Sequence, residues 1–347
     1  MALADLHRCR RYGYNAANGT YKEMTMPAKN VVVVGTGTMG PGIAEVFALG
    51  GCRAVLVGRT ADSVGSGLAR ARLAAANLEA AGLISSGRAA EAEERLSGSA
   101  ELDEAVGEAD LVVESIVENI DVKRKCFRRL DAAAAPDAIL VSNTSGLSIT
   151  EIASATERPG RVAGMHWWNP PHLIPLVEVV RGDQTTDATV SAVAEIAGGL
   201  GKLPVVVQKD VPGFIANRLQ YALLREAVSM VEQGVASAED IDLAMRAGPG
   251  LRYAALGPLE VADFIGLDVV KDVMDYLLAA MDPPSEPPAL LAGLVSSGKL
   301  GAKAGEGFYS YRGRPMEELL RERDARLAAL SAISGGAKPG QAPGFRQ

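Results

Sequence analysis

Short apolar runs alternate with longer alanine-rich stretches through the first two thirds of the chain. Between Asn30 and Gln208 the apolar runs read VVVVG, AVLVG, DLVVES, AILVSN, RVAGMH, LVEVV and LPVVV. Such runs, rich in Val, Ile and Leu and separated by helical stretches, are typical of a parallel sheet that helices cover on both faces. We therefore expect an α/β domain with a doubly wound, Rossmann-type sheet over residues 29–209.

The pattern changes to helices after Val211. The longest amphipathic stretch is PGFIANRLQYALLREAVSMVEQG, and SAEDIDLAM opens another helix behind an N-cap Ser. This predicts an all-helical C-terminal domain over residues 210–313. Residues 314–347 contain one more predicted helix, PMEELLRERDARLAALSAI, followed by a Gly/Pro-rich tail, and residues 1–28 show no periodicity. We expect the tail and residues 1–28 to be disordered.

Composition and charge narrow the class of protein. The 347 residues carry a net charge of -7 that is scattered along the chain, which argues against a nucleic-acid partner. Cys9, Cys52 and Cys126 lack CxxC spacing, so we expect neither a disulfide framework nor a metal site. No apolar run has the length of a membrane span and no secretory signal is recognisable. We expect a cytoplasmic protein without membrane contact.

A glycine-rich loop follows the first predicted strand and opens a helix, in the stretch VVVVGTGTMGPGIAEVF. Gly35 permits a tight turn, Gly37 allows the backbone to approach a pyrophosphate, and Gly40 allows helix and strand to pack closely. The helix N-terminus then offers N–H groups to the phosphates, beside Met39. The loop predicts a dinucleotide cofactor.

The second predicted strand ends in Gly58-Arg59-Thr60, where an NAD site usually has an acidic residue for the ribose 2'-hydroxyl. An arginine at this place can pair with a 2'-phosphate instead, so Arg59 favours NADP over NAD. The alternative is that Arg59 points into solvent and that NAD is bound without the carboxylate.

Nine motifs make the chain resemble the L-3-hydroxyacyl-CoA dehydrogenase family. They occur in the family's order over about residues 30–311, and they read GTGTMG, VVESIVENIDVKRKCF, SNTSGLSIT, GMHWWNP, LVEVV, DVPGFIANR, EDIDLAM, GPLEVADFIGLD and GAKAGEGFYSY. The resemblance implies a Rossmann-type domain joined to a helical dimerisation domain, an active site in the cleft between them, and a homodimer. It also implies an NAD(P)-dependent enzyme acting on CH–OH groups in fatty-acid metabolism.

The same resemblance assigns roles to individual residues. His166 matches the catalytic base and Glu178 its partner, while Ser145 and Asn217 match the positions that bind the substrate oxygen. The positions near the cofactor are Glu118, Lys123, Asn143 and Lys303.

Chemistry supports the histidine independently of the family. Oxidation of a secondary alcohol requires a base for the hydroxyl proton as the hydride leaves the same carbon, and histidine titrates near neutral pH. A carboxylate on the far ring nitrogen fixes the tautomer and stabilises the imidazolium. A single histidine in an apolar run is usually structural, but Glu178, Asn217 and the glycine loop together favour a catalytic His166. The two Pro-containing breaks between His166 and Glu178 allow the chain to turn and to bring a second strand beside the first.

Two departures from the family concern the substrate. Ala74 and Ala81 stand where the fatty-acid enzymes have a Ser and a Lys directed at the CoA moiety. The segment GPGLRYAALGPLEV is longer than in those enzymes and resembles gulonate- and carnitine-type dehydrogenases and lambda-crystallin, so Arg252 is a candidate for binding a substrate carboxylate. Its alternative is a surface loop arginine.

Three functions follow from these observations. The first is a dehydrogenase of a short-chain 3-hydroxyacyl-CoA such as 3-hydroxybutyryl-CoA. The second keeps the mechanism but acts on a free 3-hydroxy acid or on a carrier-protein-bound hydroxyacyl group. The third is a non-catalytic nucleotide-binding protein like the crystallin relatives, which the presence of His166, Glu178, Ser145 and Asn217 argues against.

Overall fold

A computed structural model describes residues 14–15, 20–21, 28–278, 281 and 287–333 of the chain. Tyr14–Asn15 and Thr20–Tyr21 form a short antiparallel pair. The rest of the predicted extension up to residue 27, and the predicted tail from residue 334, lie outside the described residues.

The main sheet has eight strands. In chain order they are β1 (Asn30–Val34), β2 (Arg53–Val57), β3 (Leu96–Ser99), β4 (Leu111–Glu114), β5 (Ile139–Ser142), β6 (Val162–Trp167), β7 (Leu176–Val180) and β8 (Leu203–Val207). Their order across the sheet is β8-β7-β6-β5-β4-β1-β2-β3. Strand order reverses beside β1, so the predicted doubly wound α/β fold is confirmed.

Two features of the sheet were not predicted by the apolar runs of the sequence: one strand that is polar, and one pair of strands that is antiparallel. Strand β3 reads LSGS, and its polar composition hides it from a search for apolar runs. It pairs only with β2 and lies at the sheet edge, where one side of a strand needs no apolar neighbour. Strand β7 runs antiparallel to β6, because the loop between them is too short for the crossover that a parallel pair requires.

Helices cover both faces of the sheet. Alternate residues of β1 enter different cores: Val31 and Val33 pack with Phe47 on one face, while Val32 and Val34 pack with Phe127 on the other. The helices of this part of the chain are α1 (Gly40–Leu49), α2 (Ala61–Ala80), α3 (Arg88–Arg95), α4 (Leu102–Val106), α5 (Ile120–Ala133), α6 (Ile149–Ala153) and α7 (Asp187–Gly199). Burial of β1 on both faces explains why its sequence is apolar without interruption.

The chain divides into two compact units. The first runs to Asn217 and resumes at Arg321, and the second is Arg218–Leu320. The remaining helices are α8 (Ala216–Glu232), α9 (Ala238–Ala247), α10 (Pro249–Ala255), α11 (Pro258–Ile265), α12 (Leu267–Leu278), α13 (Ala289–Ser296) and α14 (Met316–Ile333). The predicted helical C-terminal domain is confirmed, and the helix predicted near the C-terminus corresponds to α14. In the described part of the chain, no helix has both the length and the apolarity needed to cross a membrane.

Burial differs sharply between the two units. In the described residues of the second unit only Val228, Val261 and Pro288 are buried. Large apolar side chains on its helices are exposed instead, with Leu259 at 83%, Tyr276 at 78% and Phe264 at 75% of their maximal exposure. An apolar surface on this scale is typical of a face that binds another protein surface.

Candidate active site

The glycine loop has the backbone geometry that a dinucleotide needs. Gly35 has a φ of +125°, and a Cβ there would lie 2.2 Å from the carbonyl oxygen of Ser115. A Cβ on Gly40 would lie 1.8 Å from the carbonyl oxygen of Gly35, so the start of α1 packs against the turn. Gly37, in contrast, has no atom within 4 Å of its Cβ position, which leaves the backbone open to a ligand. The Arg70 guanidinium supports the loop by donating to the Thr36 carbonyl at 2.5 Å.

Most of the predicted cofactor residues meet in one cavity of about 900 Å³ at the carboxyl ends of the strands. Residues of the loop, Arg59 at the end of β2, and residues that follow β4 and β5 line it. The predicted site residues on its walls are Gly35, Gly37, Met39, Arg59, Glu118, Asn143 and Ser145. Its position at the strand-order reversal is where doubly wound sheets bind nucleotides. The residues therefore fit a dinucleotide cofactor.

Lys123 does not line this cavity, but it forms ion pairs with Glu114 and Glu118, and Glu118 lines the cavity. Its side chain is 1% exposed, and the ammonium lies 2.6 Å from Glu114 Oε1 and 3.4 Å from Glu118 Oε2. Glu118 in turn accepts hydrogen bonds from the Thr144 hydroxyl at 2.6 Å and from the Ser145 amide at 2.8 Å. Lys123 thus fixes Glu118, which fixes the segment that carries Ser145.

Glu114 is a residue of the site for which the sequence predicted no role. It is fully buried at the end of β4, where it accepts from the Ser142 hydroxyl at 2.6 Å, the Ile116 amide at 2.7 Å and the Lys123 ammonium. The available signal was a carboxylate closing the apolar strand LVVE, since a charged residue in that position is buried only when it is paired.

His166 and Glu178 face each other across the only antiparallel pair of the eight-stranded sheet. They are register partners on β6 and β7, and His166 Nδ1 lies 2.8 Å from Glu178 Oε2. His166 is 4% exposed and Glu178 is fully buried. The expected return of a second strand beside the first is confirmed, and it brings the two side chains into direct contact.

The second oxygen of Glu178 is held by the start of helix α8. Glu178 Oε1 accepts from the backbone amides of Ile215 at 3.0 Å and Ala216 at 3.1 Å. Burial by itself would raise the pKa of the Glu178 carboxyl, but the hydrogen bonds from His166 and from the two amides outweigh burial and lower that pKa. The pair therefore presents an ionised carboxylate to the imidazole ring.

Two aromatic rings pack on His166. The ring centroid of Trp168 lies 5.5 Å away and that of Phe214 lies 5.7 Å away. Phe214 is buried and has a φ of +52°, a backbone region that few residues other than glycine adopt. Phe214 directly precedes the amides that bind Glu178, so one turn supplies both a wall for the imidazole and the donors for its carboxylate. Sequence reasoning did not find Phe214, because an apolar residue before a helix carries no chemical signal.

Asn143, Ser145 and Asn217 are tied to the same framework. The Asn143 side chain accepts from the Trp167 amide at 2.8 Å and donates to the Ser115 hydroxyl at 3.2 Å. The Asn217 side-chain amide donates to the Ser145 carbonyl at 2.8 Å. This last hydrogen bond links the cavity residue Ser145 to the first turn of α8, which also binds Glu178.

The remaining predicted residues lie in the second unit. Arg252 is on α10 and Lys303 is in a short 3-10 turn, Ala302–Ala304; both are exposed within that unit. Their roles stay predictions. In the described part of the chain, no group of three or more His, Cys, Asp or Glu side chains is arranged to hold a metal ion.

Comparison with known proteins places the chain among dehydrogenases. Residues 30–211 match the sequence model of the 3-hydroxyacyl-CoA dehydrogenase NAD-binding domain, and residues 213–311 match that of the 3-hydroxyacyl-CoA dehydrogenase C-terminal domain. Together the two matches span most of the chain.

Individual relatives differ in substrate. The chain is 38% identical to a 5-formyl-3-hydroxy-2-methylpyridine 4-carboxylate 5-dehydrogenase of Mesorhizobium japonicum, over 89% of this chain and 99% of that protein. It is 41% identical to a 3-hydroxybutyryl-CoA dehydrogenase of Bradyrhizobium diazoefficiens, over 84% of this chain and 98% of that protein. A crystal structure described as the former kind of enzyme, an NAD+-dependent dismutase, superposes with a TM-score of 0.82 at 37% identity, and covers 89% of this chain and 99% of that one.

Proposed function

We propose, from the premise that this chain belongs to the 3-hydroxyacyl-CoA dehydrogenase family, that His166 and Glu178 form the acid–base pair of its reaction on a short-chain 3-hydroxyacyl thioester such as 3-hydroxybutyryl-CoA. The chain is an oxidoreductase of the class that acts on CH–OH groups, and it has an NAD-binding domain. The observation that carries the proposal is the buried contact of 2.8 Å between His166 Nδ1 and Glu178 Oε2.

In the oxidative direction the imidazole removes the proton of the substrate hydroxyl through Nε2. Glu178 holds Nδ1, so the ring presents its other nitrogen to the substrate and gains stabilisation when it becomes an imidazolium. The amides of Ile215 and Ala216 keep Glu178 ionised through the cycle. In the reductive direction His166 returns the same proton to the new alkoxide.

Ser145 and Asn217 bind the oxygen at the reacting carbon in this proposal. The bond between the Asn217 side chain and the Ser145 carbonyl supports it, because it holds the two residues within one fixed substructure. A hydroxyl and an amide in fixed positions orient the substrate oxygen and stabilise charge that develops on it.

The nicotinamide cofactor, when bound, accepts or supplies the hydride. The residues of the first unit proposed to hold it are Gly35, Gly37, Met39, Gly40, Arg59, Glu118, Lys123 and Asn143. The openness of the backbone at Gly37 supports binding of the pyrophosphate there, with the N-terminus of α1 directed at it.

A preference for NADP is the finer part of the cofactor proposal. Arg59 is exposed on the wall of the cavity that contains the glycine loop. A guanidinium there can pair with a 2'-phosphate, whereas NAD offers only a hydroxyl. NAD bound without a carboxylate for its ribose is the competing interpretation.

A second candidate substrate is a free hydroxy acid. The relative of Mesorhizobium japonicum favours a substrate with a free carboxylate, because its name gives a pyridine carboxylate and no CoA thioester, and it matches a larger share of this chain than the 3-hydroxybutyryl-CoA dehydrogenase does. Ala74 and Ala81 offer no charge for CoA phosphates, and Arg252 is a candidate for a substrate carboxylate. A carrier-bound hydroxyacyl group uses the same chemistry. A non-catalytic role is not favoured, since these relatives are dehydrogenases.

The substrate is tested by the rate of NADH and NADPH oxidation with acetoacetyl-CoA, acetoacetate and a carrier-bound acetoacetyl group. The thioester proposal predicts a kcat/KM for acetoacetyl-CoA at least about tenfold above that for acetoacetate. A preference of the same size for acetoacetate would instead establish the free-acid function. Absence of turnover with all three would contradict both.

We also propose a homodimer formed through the second unit. The exposure of Leu259, Phe264 and Tyr276 supports an apolar interface on its helices. Sedimentation should give twice the chain mass, and Phe264→Asp should shift the distribution toward monomer. A wild-type monomer at micromolar concentration would contradict this proposal.

A further inference from the structure

A buried lysine forms hydrogen bonds with the loop that joins β6 and β7, the two strands that carry His166 and Glu178. Lys202 is 6% exposed and lies just before β8. Its ammonium donates to the carbonyl oxygens of Pro171 at 2.5 Å and Ile174 at 3.1 Å, both in the loop 168–175. Burying an ammonium is costly unless its hydrogen bonds are made, and here a single loop supplies both of these acceptors.

The loop has few donors of its own. It contains Pro170, Pro171 and Pro175, none of which has a backbone N–H. Its internal backbone bonds both end on the Pro170 carbonyl, from the amides of Leu173 and Ile174. The carbonyls of Pro171 and Ile174 are therefore satisfied from outside the loop, by Lys202.

The geometry of this loop bears directly on His166. Strands β6 and β7 pair over only four positions, and the His166–Glu178 pair is the second from the loop. The Lys202 ammonium also lies 5.8 Å from the ring centroid of Trp167, the neighbour of His166. A change in the path of the loop therefore alters the distance between the His166 imidazole and the Glu178 carboxylate, because only the Trp167–Val177 pair separates them from the loop.

The groups around Lys202 are ionisable as well. Glu45, on α1, raises the pKa of Lys202 when its carboxyl is ionised, and His172 Nδ1 lies 3.9 Å from Glu45 Oε2. Asp324 and Arg323 of α14 act on His172. These side chains belong to no site assigned above, and His172 sits on the loop itself.

We propose that Lys202 is a positioning residue of the reaction: it fixes the loop 168–175 and thereby the contact between His166 and Glu178. The inference rests on the roles proposed for those two residues. Without the ammonium, the carbonyls of Pro171 and Ile174 lose their donor in a buried place, and the loop moves to satisfy them. The carboxylate then stabilises the imidazolium less.

The test compares Lys202→Met with Lys202→Arg and with Lys209→Met, a matched control on an exposed lysine beyond the end of β8. Acetoacetyl-CoA and NADH are the substrates, and the amount of folded enzyme is fixed by NADH binding. We expect kcat of Lys202→Met to fall about tenfold while KM for NADH stays within about twofold, because a small misplacement of a catalytic group affects the chemical step. Lys202→Arg should recover most of the loss.

The pH profile separates positioning from simple loss of folded protein. In the oxidative direction, the acidic limb of kcat/KM should move to lower pH in Lys202→Met, since an imidazolium with a weaker carboxylate contact releases its proton more readily. If Lys202→Met does not fold, Lys202→Gln replaces it. Its side chain is uncharged and shorter than that of lysine, so the same fall in kcat and the same change in the pH profile are expected. A folded variant with the kcat and pH profile of Lys209→Met would overturn the proposal.

Failure of the proposed function is distinguishable in the same assay. If His166→Ala turns over like the wild type, the acid–base assignment fails and the role of Lys202 with it. If His166→Ala is inactive and Lys202→Met behaves like Lys209→Met, only the positioning role fails.

Discussion

Two buried glutamates in the first unit have opposite environments. In Glu178, one carboxylate oxygen contacts the His166 ring and the other accepts from the amides of Ile215 and Ala216. These hydrogen bonds lower the pKa of Glu178. Glu45 is equally buried, but neither of its oxygens has a hydrogen-bond partner among the described residues, and burial raises its pKa to about 8, against the attraction of Lys202. The same residue type is thus held ionised in one place and protonated at neutral pH in the other.

The difference shows what burial does and does not decide. Burial disfavours the charged form of both carboxyls, and only directed donors reverse its effect. At Glu178 the donors come from a helix start and a strand neighbour, both fixed by the backbone. At Glu45 the neighbouring charges belong to side chains, of which Lys202 is already engaged by two carbonyls. An ionised, immobile carboxylate suits an acid–base pair, and a protonated one does not.

The largest predicted effect concerns the histidine that Glu178 serves. His166→Ala should lower kcat about a thousandfold, because the proton transfer loses its acid–base group. Binding of NADH should be unchanged, as followed by its fluorescence, since the glycine loop is untouched. Turnover close to that of the wild type would remove the basis for contrasting the two glutamates.

The second prediction concerns stability against pH. The Glu45 pKa is raised from its ordinary 4.5 to about 8, so its folded state retains a proton that the unfolded state releases. The contribution of Glu45 to stability is therefore complete below about pH 4.5 and is lost as the pH rises toward 8. Lys202, whose burial lowers its pKa to about 8, adds stability only as the pH rises beyond 8.

Glu45→Gln keeps the shape of the protonated acid and removes the ionisation. Urea unfolding at pH 5, 6.5 and 8 should show the wild type losing on the order of 3 kcal/mol more than the variant between pH 5 and 8. Parallel curves for the two proteins would mean that Glu45 is ionised in the folded state after all.

The smallest predicted effect is on cofactor choice. Arg59→Ala should weaken NADPH binding about tenfold and leave NADH binding within about twofold, because only the 2'-phosphate can pair with the guanidinium. Arg53→Ala, at the opposite end of the same strand, is the matched control. Equal weakening of both cofactors in Arg59→Ala would favour NAD as the natural cofactor.

The sequence predicted the parts of the fold that depend on local pattern. The apolar runs located seven of the eight strands, and the glycines located the cofactor loop, because steric limits at Gly35 and Gly40 leave few other residues possible. The polar edge strand β3 was missed for the same reason, since it lacks the pattern.

What the sequence left hidden depends on contacts between distant residues. The amides that bind Glu178 belong to Ile215 and Ala216, which lie 37 and 38 positions further along the chain. Backbone donors of this kind have no signature in the sequence. Glu45 lies within the apolar helix GPGIAEVFAL, where its surroundings indicate burial but not its neighbours. The hydrogen bonds from Lys202 to the loop 168–175 likewise depend on the pairing of β8 with β7, which the sequence does not show.

The most direct test of the account is the ratio of kcat between Glu178→Gln and Glu45→Gln, which make the same chemical change in two buried glutamates. Glu178→Gln removes the charge that supports the imidazolium, so its kcat should fall at least about a hundredfold. Glu45→Gln should stay within about threefold of the wild type at pH 7, since that carboxyl is already protonated there. Equal kcat values for the two folded variants would contradict the assignment of Glu178 as the partner of His166.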